Sequence, residues 1–83
     1  MDDASELEGM LMSLLAQVRK VVSPTEGDDI AGLISEGNNR QALERICRAA
    51  ADHRLPLAMD ARAMVFRLAD RLQVDPAALG MLD

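Results

Sequence analysis

Apolar residues recur at spacings of three, four and seven along most of this chain, and that rhythm limits its fold more than any other feature. The stretch from Asp3 to about Val22 carries Leu7, Met10, Leu11, Leu14, Leu15, Val18, Val21 and Val22. Such spacing places one broad apolar stripe on an α-helix. No stretch alternates apolar and polar residues as a half-buried strand would, so we predict helices throughout.

Capping residues mark the second helix. Within Ser23–Glu26, a serine stands at the N-cap, a proline follows at the first helical position, and a glutamate at the third position can reach back. Gly37 is placed to adopt the left-handed conformation that ends a helix, which makes the second helix short. Asn38 or Asn39 is then expected to cap the third helix.

The third helix is expected to run to about Arg54, where the sequence Leu-Pro-Leu at 55–57 breaks it. Its apolar face consists of Ala42, Leu43, Ile46, Cys47 and Ala50. Its opposite face alternates in charge at a spacing of four, through Arg40, Glu44, Arg48 and Asp52. This pattern predicts a solvated surface with ion pairs between successive turns.

The fourth helix is expected from about Ala58 to Gln73 and has no good N-cap residue. Its core stripe consists of Ala61, Met64, Val65, Leu68 and Leu72. A capped turn at 75–79, with Asp75 as its cap, would then let Leu79 and Leu82 fold back onto the core. The sequence thus predicts one all-α domain over 1–83, a compact bundle of four helices with a C-terminal helical turn. Phe66 is the only aromatic residue, so aliphatic side chains must build the core.

Charge is unevenly distributed along the chain. Residues 1–39 hold eight acids against two cations, a balance of −6, and residues 40–83 hold six acids against seven arginines, a balance of +1. A lopsided field of this kind raises the encounter rate with a basic partner and repels nucleic acid.

Reactive side chains are scarce. With one cysteine and one histidine, the chain cannot supply the four ligands of a zinc site. Cys47 lies on an apolar stripe, which favours a buried inert thiol, and His53 lies near a helix end, where a cation is favoured. We therefore expect neither an enzyme nor a cofactor. The acidic amino terminus and the absence of a long apolar run favour a cytoplasmic location.

Two groups of residues are candidates for binding a partner. The first is the acidic group Glu26, Asp28, Asp29 and Glu36. It lacks the acid spacing of a calcium loop, so the alternatives are solvated first-turn acids and a protein-binding patch. The second is Met59 with Phe66, which share a side of the fourth helix away from its core stripe and form either a second buried face or an exposed apolar spot for a partner or a dimer.

The segment from Gly37 through Ala42-Leu43-Glu44-Arg45-Ile46-Cys47, the Leu-Pro-Leu at 55–57 and the run Leu68–Pro76 together resemble the small helical MafI-type immunity proteins of contact-dependent bacterial toxin systems. The chain departs from that pattern at Asn38, where an acid is expected, and at Ala58, where a serine or threonine cap is expected. The resemblance implies a function, which is to bind one cognate toxin domain, often a nuclease, and to block it. It implies no binding residues.

Three hypotheses follow from these observations. The first is an immunity protein whose acidic group covers the basic substrate-binding surface of a toxin. The second is a helical adaptor or regulatory domain that uses Met59 and Phe66. The third is a small DNA-binding regulator with Arg62, Arg67 and Arg71 facing a groove, which the net charge of −5 disfavours.

Overall fold

The computed structural model describes residues 3–75 and 79, and every regular element within them is helical. The helices are α1 (Asp3–Val18), α2 (Pro24–Ser35), α3 (Asn39–Asp52) and α4 (Met59–Leu72). The predicted all-α bundle of four helices is therefore confirmed. At 12 residues, α2 is the shortest of the four, also as predicted.

The helices are arranged around a central pair. Helices α1 and α3 pack against each other, and each of them also packs against both α2 and α4. Helices α2 and α4 hardly meet, because the α1/α3 pair stands between them. The outer faces of α2 and α4 are therefore separate surfaces of one molecule.

The core is aliphatic. All five residues predicted for the inner face of α3 are buried, and Leu11, Leu14, Leu15 and Val18 line the inner face of α1. From the two outer helices come Ile30, Ile34, Val65, Leu68 and Ala69. No polar or charged side chain is buried among the described residues. Removal of this apolar surface from water is the main force that holds the bundle together.

The first helix is shorter than its apolar pattern predicts. It ends at Val18 rather than near Val22, and the backbone N–H groups of Val21 and Val22 both donate to the Val18 carbonyl in a closing turn. The reason lies in the next helix, because Ser23 must be extended (ψ 156°) to act as its N-cap before Pro24. Val22 is still buried at the edge of the core.

The predicted caps are partly right. Ser23 Oγ accepts a hydrogen bond from the Glu26 backbone N–H at 3.2 Å, but the Glu26 carboxylate makes no return bond to Ser23. Gly37 is left-handed at φ 81°, as predicted. Asn38 occupies the N-cap position of α3 without a side-chain bond, because its backbone (φ −82°, ψ 60°) is not in the extended conformation that such a cap requires.

Tertiary contacts hold the fourth helix in place of local caps. Ala58 makes no side-chain cap bond, as predicted, and Gln73 ends α4 in the left-handed conformation at φ 56°. The Arg40 guanidinium donates from Nε (3.2 Å) and Nη2 (2.9 Å) to the Leu72 carbonyl. Arg71 Nη1 lies 3.2 Å from Glu6 Oε2 on α1. Both contacts join residues that are far apart in the sequence.

The chain beyond α4 is described only in part. Leu79 is buried against the core, as predicted for the C-terminal turn. The other residues of that turn after Asp75, together with Leu82, lie outside the described residues, as do the side chains of Asp3 and Ser5 at the start of α1.

Candidate protein-binding surfaces

The interior offers no reactive group. Cys47 is buried, and desolvation raises the pKa of its thiol to about 11, so the sulfur stays protonated at neutral pH. A protonated, buried thiol is a poor nucleophile. Within the part of the chain that the structure describes, no three His, Cys, Asp or Glu side chains come together as metal ligands would. What the described part of the molecule can offer a partner therefore lies on its surface.

The acidic face of α2 is built by Asp29 and Glu36. They lie seven residues apart, which is almost two helical turns, so their side chains point the same way at an axial separation of about 10 Å. Glu36 keeps a helical backbone (φ −82°, ψ −3°) as the C-cap of α2. Both side chains are exposed, and neither forms an ion pair with any residue that the structure describes.

The other two predicted acids are placed differently. Asp28 lies about 100° around the helix from Asp29, and its Oδ1 is 3.6 Å from Arg19 Nη1. Arg19 can lie close because Gly27 has no side chain; a Cβ there would be 3.0 Å from Arg19 Nη1. Glu26 is half-buried in the first turn of α2. The four predicted acids thus form an open pair, one partly neutralised carboxylate and one helix-start carboxylate.

Met59 and Phe66 lie together on the outer face of α4. Met59 is 87 % exposed and Phe66 is 36 % exposed. Since Phe66 keeps a third of its surface in water, α4 is buried mainly on one side, and the two residues form an exposed apolar spot. Phe66 also borders a groove of about 500 Å³ at the end of α4, which is lined by Ala69, Asp70, Gln73, Val74 and Asp75.

The two predicted groups do not form one site. The acidic residues are on α2 and the apolar spot is on α4, on helices that the α1/α3 pair keeps apart. A partner of ordinary size that covers one outer face would leave the other open. The two groups are therefore separate candidate surfaces.

The surface of the second half carries many unpaired arginines. The exposed arginines that form no ion pair within the described residues are Arg45, Arg48, Arg54, Arg62 and Arg67. The predicted ladder of ion pairs along α3 is wrong, because no ion pair joins its four members and Arg40 turns instead to the Leu72 carbonyl. Arg71, assigned to a DNA groove in the third hypothesis, binds Glu6.

Three further residues of the α4 outer face, Asp60, Ala63 and Arg67, were missed when only large apolar side chains were sought. Met59, Ala63 and Phe66 are spaced four and three apart, as in the seam of a paired helix. Asp60 and Arg67 lie seven apart along one flank of that seam. The heptad spacing is the signal that could have found them.

Comparison with models of protein families, with curated proteins and with solved structures finds no match to this chain. Among the described residues, no helix is both long enough and apolar enough to cross a membrane. The functional argument therefore depends on the surfaces described above and on the resemblance noted in the sequence.

Proposed function

We propose that this chain is an immunity protein that binds a cognate bacterial toxin domain in the cytoplasm and blocks it by covering a basic surface, as on a nuclease. The chain would act by binding, not by catalysis. The observation that carries the proposal is the open pair of carboxylates on α2, Asp29 and Glu36, in the half of the chain with a net charge of −6.

Charge supports this role. A nuclease must be basic where it holds the phosphates of its substrate, so its substrate surface attracts exposed carboxylates at long range. Two unpaired carboxylates about 10 Å apart on one helix face can each meet a cation of such a surface. The net charge of the chain repels nucleic acid itself, which disfavours the DNA-binding alternative.

The rigidity of α2 also supports this role. The helix is capped by Ser23 at its start and closed by the left-handed Gly37 just beyond its end, and its inner face is anchored by the buried Ile30 and Ile34. A surface that is already ordered loses little conformational freedom on binding, so more of the interaction energy appears as affinity. The acidic face is therefore presented in a fixed geometry.

The first experiment is co-purification of the tagged chain from its native host, expressed with its genomic neighbours. The proposal expects one protein with a toxin domain to come out in a stoichiometric complex, and expects the chain to protect cells in which that domain is expressed. A chain that protects against no neighbouring gene product would overturn the assignment.

Charge reversal then tests the surface. The double variant Asp29→Lys/Glu36→Lys should reduce the association rate with the toxin domain by about 10- to 100-fold at low salt and should flatten its salt dependence. The matched control is Glu44→Lys/Asp52→Lys, which makes the same change of charge at exposed positions on α3. If both variants slow association equally, only net charge matters and the α2 face is not the contact.

A second candidate, a helical adaptor that binds through α4, is favoured by one observation. Met59 is the most exposed large apolar side chain of the described residues, and Phe66 stands beside it. If Phe66→Asp abolished binding of the cellular partner while the α2 double variant did not, the adaptor would replace the immunity protein as the better account.

A further inference from the structure

We propose that the outer face of α4 binds the same face of a second copy of this chain, giving a weak antiparallel dimer. The proposal does not depend on the toxin partner, because α2 and α4 are separate surfaces. It accounts for an apolar seam that the single chain leaves in water.

The seam has the spacing of a helix that pairs with another helix. Met59, Ala63, Phe66, Asp70 and Gln73 follow one another at steps of four, three, four and three residues. All five are exposed. This is the heptad repeat of a two-helix interface, with its apolar part in the first half of the helix.

Shape complementarity selects an antiparallel register. In a two-fold dimer the same patch meets itself, so each contact occurs twice. When Phe66 of one copy lies opposite Ala63 of the other, the large ring meets the smallest side chain of the seam, and Met59 lies opposite Asp70 at the ends. A parallel pair would place Phe66 against Phe66 and Ala63 against Ala63, which fits less well.

Charge complementarity favours the same register. Asp60 and Arg67 flank the seam on one side, and in an antiparallel pair this side of one helix faces the same side of the other. Asp60 of each copy then lies within two residues of the level of Arg67 in the other. Neither side chain forms an ion pair with any described residue of its own chain, so both are available for two symmetric pairs.

The size of the face sets the strength. Two helices of 14 residues that meet along one seam bury roughly half of the ~800 Å² per partner of a standard interface, so we expect a dissociation constant on the order of 0.1 mM. Such a dimer leaves both α2 faces open, one on each copy.

Sedimentation of the full chain from about 10 µM to about 1 mM tests the proposal, since this range brackets the expected dissociation constant. The wild type should pass from monomer to dimer. Phe66→Ser and Met59→Ser, both at outward positions, should each weaken the dimer by about 10-fold or more, with the helical circular dichroism signal checking the fold. A chain that remains monomeric at about 1 mM overturns the proposal.

Charge exchange tests the register. Asp60→Arg alone places two arginines together across the interface, and Arg67→Asp alone places two acids together, so each variant should dimerise at least about 5-fold more weakly than the wild type. An equimolar mixture of the two should form a heterodimer of near wild-type strength, because both cross-pairs are again of opposite charge. Glu44→Arg and Arg48→Asp on α3 are the matched controls. Dimers that ignore the α4 changes, or a mixture no stronger than its components, contradict the proposed face.

Discussion

Helices α2 and α4 hold equivalent places on either side of the α1/α3 pair, yet they are fixed by different means. Helix α2 carries its own start and stop, in the Ser23 cap and in left-handed Gly37. Helix α4 begins at Ala58 without a side-chain cap and ends at a left-handed glutamine, and long-range bonds from Arg40 and Arg71 hold its C-terminal end.

The difference shows which information is local. The caps of α2 act within four residues, so the helix and its acidic face are set by neighbouring side chains. The placement of α4 depends on residues that meet only when the bundle has formed. We infer that α2 is the more autonomous element and that α4 depends more on the rest of the fold.

The largest effects are expected in the core, where the two helices should behave alike. Ile30 on α2 and Leu68 on α4 are both fully buried, so Ile30→Ala and Leu68→Ala should each lower the free energy of unfolding by about 3 kcal/mol. Urea unfolding measures both. Met12→Ala, at an exposed position of α1, is the control and should change little. A much smaller cost at Leu68 would mean that α4 is only loosely docked.

The N-caps should respond with opposite signs. Ser23→Ala removes the bond to the Glu26 N–H and should cost about 1 kcal/mol of unfolding free energy. Ala58 already has the extended backbone of an N-cap (ψ 159°), so Ala58→Ser should stabilise the protein by about 0.5–1 kcal/mol. Denaturant titration at one pH compares them. A loss at both positions would show that α4 tolerates no local cap.

The C-terminal ends provide the same contrast. Gly37→Ala forces a side chain into the left-handed region and should cost about 1 kcal/mol. Gln73→Gly relieves the same conformation and should stabilise by about 0.5 kcal/mol. Thermal unfolding should therefore move in opposite directions for the two variants. Destabilisation by both substitutions would imply that the Gln73 side chain makes a stabilising contact of its own.

The smallest effect is expected at the Arg40 link. Arg40→Gln removes the two bonds to the Leu72 carbonyl and should cost about 0.5–1 kcal/mol, since the pair is exposed. Arg48→Gln is the matched control on the same helix, where the arginine has no ion-pair partner among the described residues. Amide hydrogen exchange should accelerate in the last turn of α4 for the first variant only. Acceleration throughout α4 would instead show that this one link holds the whole helix.

Much of this fold can be predicted from the sequence because its causes are local. Helical spacing identifies the core residues of α3 without error, and the Ser23-Pro24 start and the Gly37 stop follow from backbone chemistry. Two local predictions fail where a neighbour competes. Val22 gives up the helix because Ser23 must be extended, and Asn38 loses its cap because the chain leaves Gly37 in the wrong conformation.

The surfaces are harder to predict for a different reason. Charge along the chain identified Glu26, Asp28, Asp29 and Glu36 as a group, but only the packing assigns Asp28 to Arg19 and leaves Asp29 beside Glu36. Likewise, the charge alternation on α3 did not foretell that Arg40 would bind a carbonyl of α4. Pairing between distant side chains depends on the angle at which helices pack, and the apolar stripes do not specify that angle.

The central claim is that the α2 face meets the partner, and mapping the contact by nuclear magnetic resonance tests it most directly. The isotope-labelled chain is titrated with the toxin domain encoded beside its gene. The account predicts that the largest amide shifts fall at Asp28, Asp29, Glu36 and their neighbours on α2. Shifts confined to the arginine-bearing faces of α3 and α4, with α2 unmoved, would contradict it.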